Sequence, residues 1–129
     1  MADVGKLQKQ LNAGTVSLVV LALLERSGRA MYGYEISRVL EALTGGTLPM
    51  KQGTLYPVLR SLERDGQLAS RLEPSDAGPP RRYYSITPAG RGSLPSWREA
   101  WSETRDFVDR FLELEPGAIA ASMVAAEET

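Results

Sequence analysis

Arg60 and Arg64 stand four residues apart, one turn of a helix, and a second pair, Arg81-Arg82, follows a stretch rich in Pro and Gly. A guanidinium is planar, permanently charged and carries its donors in a fixed fork, which suits phosphate oxygens and the edges of guanine bases. The residue types that most other site chemistry needs are missing. The 129-residue chain has no His and no Cys. That removes the usual general base, every Ser-His-Asp and Cys-His arrangement, thiolate zinc sites and disulfides. A metal site would have only carboxylates to use, and no spaced carboxylate motif occurs. Gly45-Gly46 has no Lys-Ser/Thr after it and reads as a loop, not a phosphate cradle. We therefore expect no catalytic residues, no metal, no cofactor and no enzyme; a binding protein is the default.

The net charge of −1 argues against a polyanionic partner, but its distribution does not. Residues 51–91 carry seven bases, among them Lys51, Arg60, Arg64, Arg81 and Arg82, against four acids. Residues 92–129 carry three bases against eight acids. A basic middle and an acidic end give a local field that draws a polyanion to one face only. Composition is that of a soluble globular chain, 43% hydrophobic and 24% charged. The longest apolar run, Leu18 to Leu24, is too short to cross a bilayer. Met1-Ala2-Asp3-Val4 lacks the basic-then-apolar order of a signal peptide. A cytoplasmic protein without a membrane partner is expected.

The elements that must position the arginines follow from periodicity. Residues 1–12 are polar and read as a frayed arm or an extra helical turn. Thr15 to Arg26 reads as a helix that is apolar nearly all round, through Val16, Leu18, Val19, Val20, Leu21, Leu23 and Leu24, and stopped by Gly28. In so small a protein this suggests a second subunit as well as an internal core. Ile36, Val39, Leu40 and Leu43 repeat as one face of a second helix, and Leu55, Val58, Leu59 and Leu62 as one face of a third, about Gln52 to Asp65, closed by Gly66. Pro57 predicts a slight kink or a tight first turn there. Opposite the third helix's apolar stripe lie Gly53, Pro57, Arg60 and Arg64, with Tyr56 at the edge. Two alternating runs, Gln67 to Glu73 and Arg82 to Thr87, predict a β-hairpin whose polar tip ends in Arg81-Arg82. Thr87-Pro88 is an N-cap followed by Pro at the first helical position. The long helix it opens runs to about Leu114, with Pro95 expected to bend it. On it Leu94, Trp97, Trp101, Thr104, Val108 and Phe111 form a heptad seam, polar only at Thr104. Pro116-Gly117 breaks it, and the Ala-rich tail that follows is a weak helix or disordered.

Helix, helix, helix, hairpin, helix is the order of a mostly α winged helix-turn-helix with a two-stranded wing and a long C-terminal helix. The expected organisation is a DNA-binding domain over 1–87, a dimerisation helix over 88–115 and a tail over 116–129. In such a fold the second helix of the pair enters the major groove, so Gly53, Arg60 and Arg64 lie on the reading face. Arg81 and Arg82 at the wing tip then meet the adjacent backbone or minor groove.

At these residues the chain resembles a known family. The run Thr54-Leu55-Tyr56-Pro57-Val58-Leu59-Arg60-Ser61-Leu62-Glu63-Arg64-Asp65-Gly66 resembles the recognition-helix signature of PadR-like transcriptional regulators. Gly78-Pro79-Pro80-Arg81-Arg82-Tyr83-Tyr84-Ser85-Ile86-Thr87-Pro88-Ala89-Gly90 is similar to their wing, and Tyr32-Gly33-Tyr34-Glu35-Ile36 to the start of their second helix. The resemblance implies a homodimeric bacterial transcription factor, usually a repressor, on a palindromic double-stranded DNA operator. It places DNA contacts at Tyr34, Lys51, Gly53, Thr54, Tyr56, Arg60, Arg81 and Arg82. It also makes the last helix a dimerisation helix, here in the manner of the short-tailed members. Some of those hold a planar aromatic effector at the dimer centre beside a tryptophan, a position Trp101 occupies. Trp97, one turn earlier, either joins that site or fills it, and Gly14, Ser17 and Leu18 would supply the facing wall. The dimer interface is expected at Val16, Val20, Leu94, Trp97, Trp101, Thr104, Val108 and Phe111. The competing reading is a winged-helix module that binds protein and not DNA.

Overall fold

The computed structural model describes residues 4–46 and 52–128. Among these residues the order is α1 (Val4–Ser27), β1 (Met31–Tyr32), α2 (Gly33–Leu43), α3 (Gln52–Arg64), β2 (Leu68–Glu73), β3 (Arg81–Ile86), α4 (Pro88–Leu112) and α5 (Pro116–Glu128). The three strands form one antiparallel sheet in the order β1-β3-β2. The winged-helix arrangement expected from periodicity is therefore present. The chain divides into two compact units between Pro95 and Ser96.

The first unit is built on one core. Val16, Val20, Leu21 and Leu24 of α1 are buried, as are Ile36 and Leu40 of α2, Leu55, Leu59 and Leu62 of α3, and Met31, Leu68 and Tyr84 of the sheet. Each such side chain contributes roughly 1.5–3 kcal/mol by leaving water. Of the helix faces predicted from the i, i+3, i+4, i+7 spacing, Ile36, Leu40, Leu55, Leu59 and Leu62 are buried and Val39 and Val58 half-buried, while Leu43 at the end of α2 is exposed. α1 starts at Val4, eleven residues before the start at Thr15 that its apolar run announces, because its first turns carry only the sparse stripe Val4, Leu7 and Leu11. By length and composition α1 is apolar enough to cross a membrane, which the unbroken run alone is not. In this fold that apolarity supplies the core face of a helix packed on α3 and β3.

Glycines end the helices where the chain must reverse. Gly28 and Gly66 take positive φ of 67° and 78°, a region other residues enter only at a cost. After α3 the amide of Gln67 reaches back to the Leu62 carbonyl at 2.9 Å, closing the helix end. Thr87 caps α4 as its sequence predicts, its Oγ1 accepting the Gly90 amide at 2.9 Å. Gly90 is buried, and a Cβ there would overlap the Gln67 carbonyl, so the start of α4 sits directly on the turn that follows α3. Both α3 and α4 are continuous helices through their internal prolines, Pro57 and Pro95.

One element was not expected. β1 is only two residues long, too short to show a period, and it exists because Met31 and Tyr32 pair with Tyr84 and Tyr83 of β3. Of the two alternatives for the Ala-rich tail, the helix is the one present: α5, whose residues are all exposed. In the second unit, Trp101, Phe107, Val108, Phe111 and Leu112 of α4 are also exposed.

Candidate nucleic-acid interface

The start of α2, the outer side of α3 and the wing surround one cleft of about 720 Å³. Leu55, Leu59 and Leu62 anchor α3 from below, which turns Gly53, Thr54, Arg60 and Arg64 outward. Tyr56 is half-buried because its ring lies over Gly33; a Cβ at Gly33 would overlap it. Gly33 thus lets Tyr56 of α3 pack tightly on the first turn of α2. Of the residues read from the sequence as DNA contacts, Tyr34, Tyr56, Arg60, Arg81 and Arg82 line the cleft together. Gly53, Thr54 and Arg64 are exposed on α3 outside it. Lys51 lies outside the described residues.

The wing is held to the body by side chains, not only by its ladder. The Arg81 guanidinium sits 4.5 Å from the centre of the Tyr32 ring. Tyr32 meets Tyr83 edge-on at 5.5 Å, and Arg71 lies 5.8 Å from the Tyr83 ring centre. The result is a cation–ring–ring–cation row across the sheet, with each arginine attracted to the negative face of a ring. On the other side of the wing, Arg82 Nη1 donates to Ser70 Oγ at 3.0 Å, and Ser70 Oγ in turn donates to the Glu63 carboxylate of α3. The helix α3 and the wing are therefore joined through one serine hydroxyl. Ser75 Oγ donates to the carbonyls of Gly78 and Pro79, which shapes the wing loop.

Electrostatically the cleft is positive. Arg60, Arg81 and Arg82 face a single lining acid, Glu63. At its margin Arg38 Nη1 donates to the Tyr34 hydroxyl at 3.0 Å, a contact that holds the Arg38 guanidinium above its ordinary range. Behind it Arg29 donates to Glu35 at 2.8 Å and keeps that carboxyl below the usual carboxylate range, with burial opposing. Burial, then the nearby Glu63, pushes the Tyr84 hydroxyl up. Among the described residues no group of His, Cys, Asp and Glu is arranged to hold a metal ion.

Sequence reasoning missed Arg38, Tyr32, Tyr83, Ser70 and Glu63. Arg38 was accessible, since it follows Tyr34 by one helical turn. The Glu63–Ser70–Arg82 link and the tyrosine row depend on strand register, which no local pattern reveals.

The residues expected at a dimer centre divide by exposure. Val16 and Val20 are 1% and 0% exposed in the single chain, so they belong to its own core and offer no surface to a partner. This corrects the expectation for those two residues; Leu18, Val19 and Leu23, on the other faces of the same helix, are only half-buried. Ser17 and Leu18 are half-buried on α1, and Gly14 is exposed with open space around its Cα. On α4, Leu94 and Trp97 are half-buried, whereas Trp101, Thr104, Val108 and Phe111 are exposed. Thr104 Oγ1 bonds the Ala100 carbonyl at 2.9 Å, which satisfies its hydroxyl within its own helix.

The family model described as the transcriptional regulator PadR-like family matches residues 20–96, more than half of the chain. A crystal structure of a PadR family transcriptional regulator from Eggerthella lenta is 31% identical, with 87% of this chain and 94% of that one covered and a TM-score of 0.73. The transcriptional regulator Rv3488 of Mycobacterium tuberculosis is 51% identical over 51 residues, 40% of this chain and 47% of that protein. PadR of Bacillus subtilis, solved in complex with operator DNA, is similar in fold, with a TM-score of 0.58 at 23% identity over 64% of this chain and 46% of that one. The chain belongs to the PadR-like family of transcriptional regulators.

Proposed function

We propose that this regulator is a cytoplasmic, homodimeric repressor that binds a palindromic operator and is released by a planar aromatic effector. The observation that carries the DNA reading is the cleft in which three arginines from α3 and the wing meet over a shared floor of tyrosines. Residues 1–87 then form the reading head. Tyr34, Gly53, Thr54, Tyr56, Arg60 and Arg64 serve the groove and its phosphates, with Lys51 assigned from the sequence alone. Arg81 and Arg82 serve the backbone beside it. Residues 88–115, which contain α4, carry the dimer seam, supported by the exposed Trp101, Val108 and Phe111 and the self-satisfied Thr104. An effector stacking on the exposed Trp101, with Gly14, Ser17 and Leu18 as facing wall, acts on DNA only if it prefers one spacing of the two heads. The half-buried Trp97 is the weaker candidate for direct stacking.

The test is to retain fragmented genomic DNA on the purified protein, sequence what is held and titrate the recovered duplex at several salt concentrations. A palindromic sequence is expected, with log affinity falling against log salt by about 0.9 per phosphate contacted. Retention of no sequence, with affinity independent of salt, would instead favour a winged-helix module that binds protein, in keeping with the acidic end of the chain.

A further inference from the structure

The sheet has a second face. Side chains alternate along β3, so Tyr83 and Ser85 project from the side opposite Tyr84, which lines the cleft. A separate recess of about 240 Å³ opens between the end of α1, the sheet and the first turn of α4, and it shares no lining residue with the cleft. Arg29, Arg71 and Arg91 converge on it from three different elements, together with Ser85; Leu24 and Ile86 give it apolar walls, and no acid lines it. Arg29 Nη2 donates to Glu35 at 2.8 Å and Arg71 Nε to Glu73 at 2.6 Å, both carboxylates standing outside the lining. These ties fix two guanidiniums, and each has five N–H groups, so donors remain for a ligand. Among the described residues neither the Arg91 guanidinium nor the Ser85 hydroxyl has a partner. Arg91 also stands in the first turn of α4, which holds no acid. The helix dipole there favours an anion and opposes a cation.

We infer that this recess binds a phosphoryl group, carried by inorganic phosphate or a small phosphate monoester. A carboxylate has two oxygens, which a single guanidinium fork satisfies. A phosphoryl dianion has three acceptor oxygens to share among three guanidiniums and a hydroxyl, and its charge offsets Arg91 at the helix start. The inference depends on neither the dimer nor the aromatic effector proposed above. A phosphate of the DNA backbone has the same chemistry, and the test separates the two sources.

The full-length protein is titrated calorimetrically with inorganic phosphate, and separately with acetate, at constant ionic strength and slightly above neutral pH, where phosphate is mostly dianionic. Phosphate is expected to bind saturably and at least about tenfold more tightly than acetate. Arg91→Gln, at an exposed position, should lower phosphate affinity about tenfold, and Ser85→Ala about threefold. Arg98→Gln, an exposed change elsewhere on α4, should leave it unaltered. Duplex DNA should keep its salt dependence in Arg91→Gln. Four results overturn the inference. No saturable phosphate binding rejects the site. Equal affinity for acetate denies it a phosphoryl ligand. Phosphate binding lost in Arg60→Gln and kept in Arg91→Gln places the anion in the cleft. A salt slope for duplex that falls by about 0.9 in Arg91→Gln makes the DNA backbone the occupant.

Discussion

Arg81 stacks on Tyr32, its guanidinium 4.5 Å from the ring centre, and so ties the loop end of the wing to the residue that opens α2. Both Arg81 and Tyr32 line the cleft, so the charged end of the side chain is held against the ring at its wall. An arginine read from the sequence as a DNA contact thus also positions the wing. An exposed cation–ring contact is worth about 0.5–1 kcal/mol. Tyr32→Leu is expected to weaken operator binding about two- to fivefold by that energy, without removing a charge. Arg81→Ala should cost more, because it also removes a phosphate contact and flattens the salt dependence. Anisotropy titrations of both variants at two salt concentrations separate the roles, and equal salt slopes would deny Arg81 any phosphate contact.

Arg60 and Arg82 should fail differently. Arg60 is exposed on the outer side of α3, where a bidentate base contact is worth about 1–3 kcal/mol. Arg60→Ala is expected to lose that much on the operator and little on random duplex. Arg82 is bonded to Ser70, which is bonded to Glu63. Ser70→Ala breaks the link while keeping both charged ends, so it should reduce affinity for operator and random DNA alike. Competition assays with the two duplexes read the difference; an operator-selective loss in Ser70→Ala would contradict this assignment.

Two glycines of α4, separated by one residue, should respond oppositely to alanine. At Gly90 a Cβ meets the Gln67 carbonyl and the Ile86 side chain, and backbone cannot swing aside. Gly90→Ala is expected to destabilise by about 3 kcal/mol, the upper end for overpacking. Around Gly92 nothing lies within 4 Å of such a Cβ. Gly92→Ala should stabilise by up to about 1 kcal/mol through helix propensity. Urea unfolding of the two variants checks both signs.

Acid should release the Arg29–Glu35 tie. The Glu35 carboxyl is held low, chiefly by the hydrogen bond from Arg29. A carboxyl whose folded value is depressed contributes stability that is complete above the ordinary value of about 4.3 and is lost as pH falls through the folded value. The stability gap between the natural protein and Glu35→Gln is therefore constant near neutrality and closes in acid. It is small, since both partners are partly exposed. Denaturant midpoints at about pH 7 and about pH 3 measure it, and a gap that widens in acid would be the wrong sign.

The α4 seam makes a prediction for assembly. Val108→Glu and Phe111→Glu place a charge on exposed apolar positions, so the single chain should fold as before. Both should sediment as monomers, because an uncompensated carboxylate buried at an interface costs several kcal/mol. Trp101→Ala should abolish saturable fluorescence quenching by planar dyes while Trp97→Ala retains it. Dimeric Val108 and Phe111 variants would move the interface elsewhere.

Local chemistry alone determined most of each helix face, the glycines that end α1 and α3, the Thr87 cap and the basic wing tip. Each of these is written in residues a few positions apart: the spacing of Leu55, Leu59 and Leu62, or the Thr-Pro pair at 87–88, needs no distant partner to be read. Tertiary structure decided the rest. It made Val16 and Val20 core and not interface, because which face of an all-apolar helix is buried depends on how many neighbours arrive, and that number is not local. It created β1 from two residues that have no period, through pairing with β3. It also joined Glu63, Ser70 and Arg82, and stacked Arg81 on Tyr32, because the antiparallel register brings together side chains that are far apart along the chain.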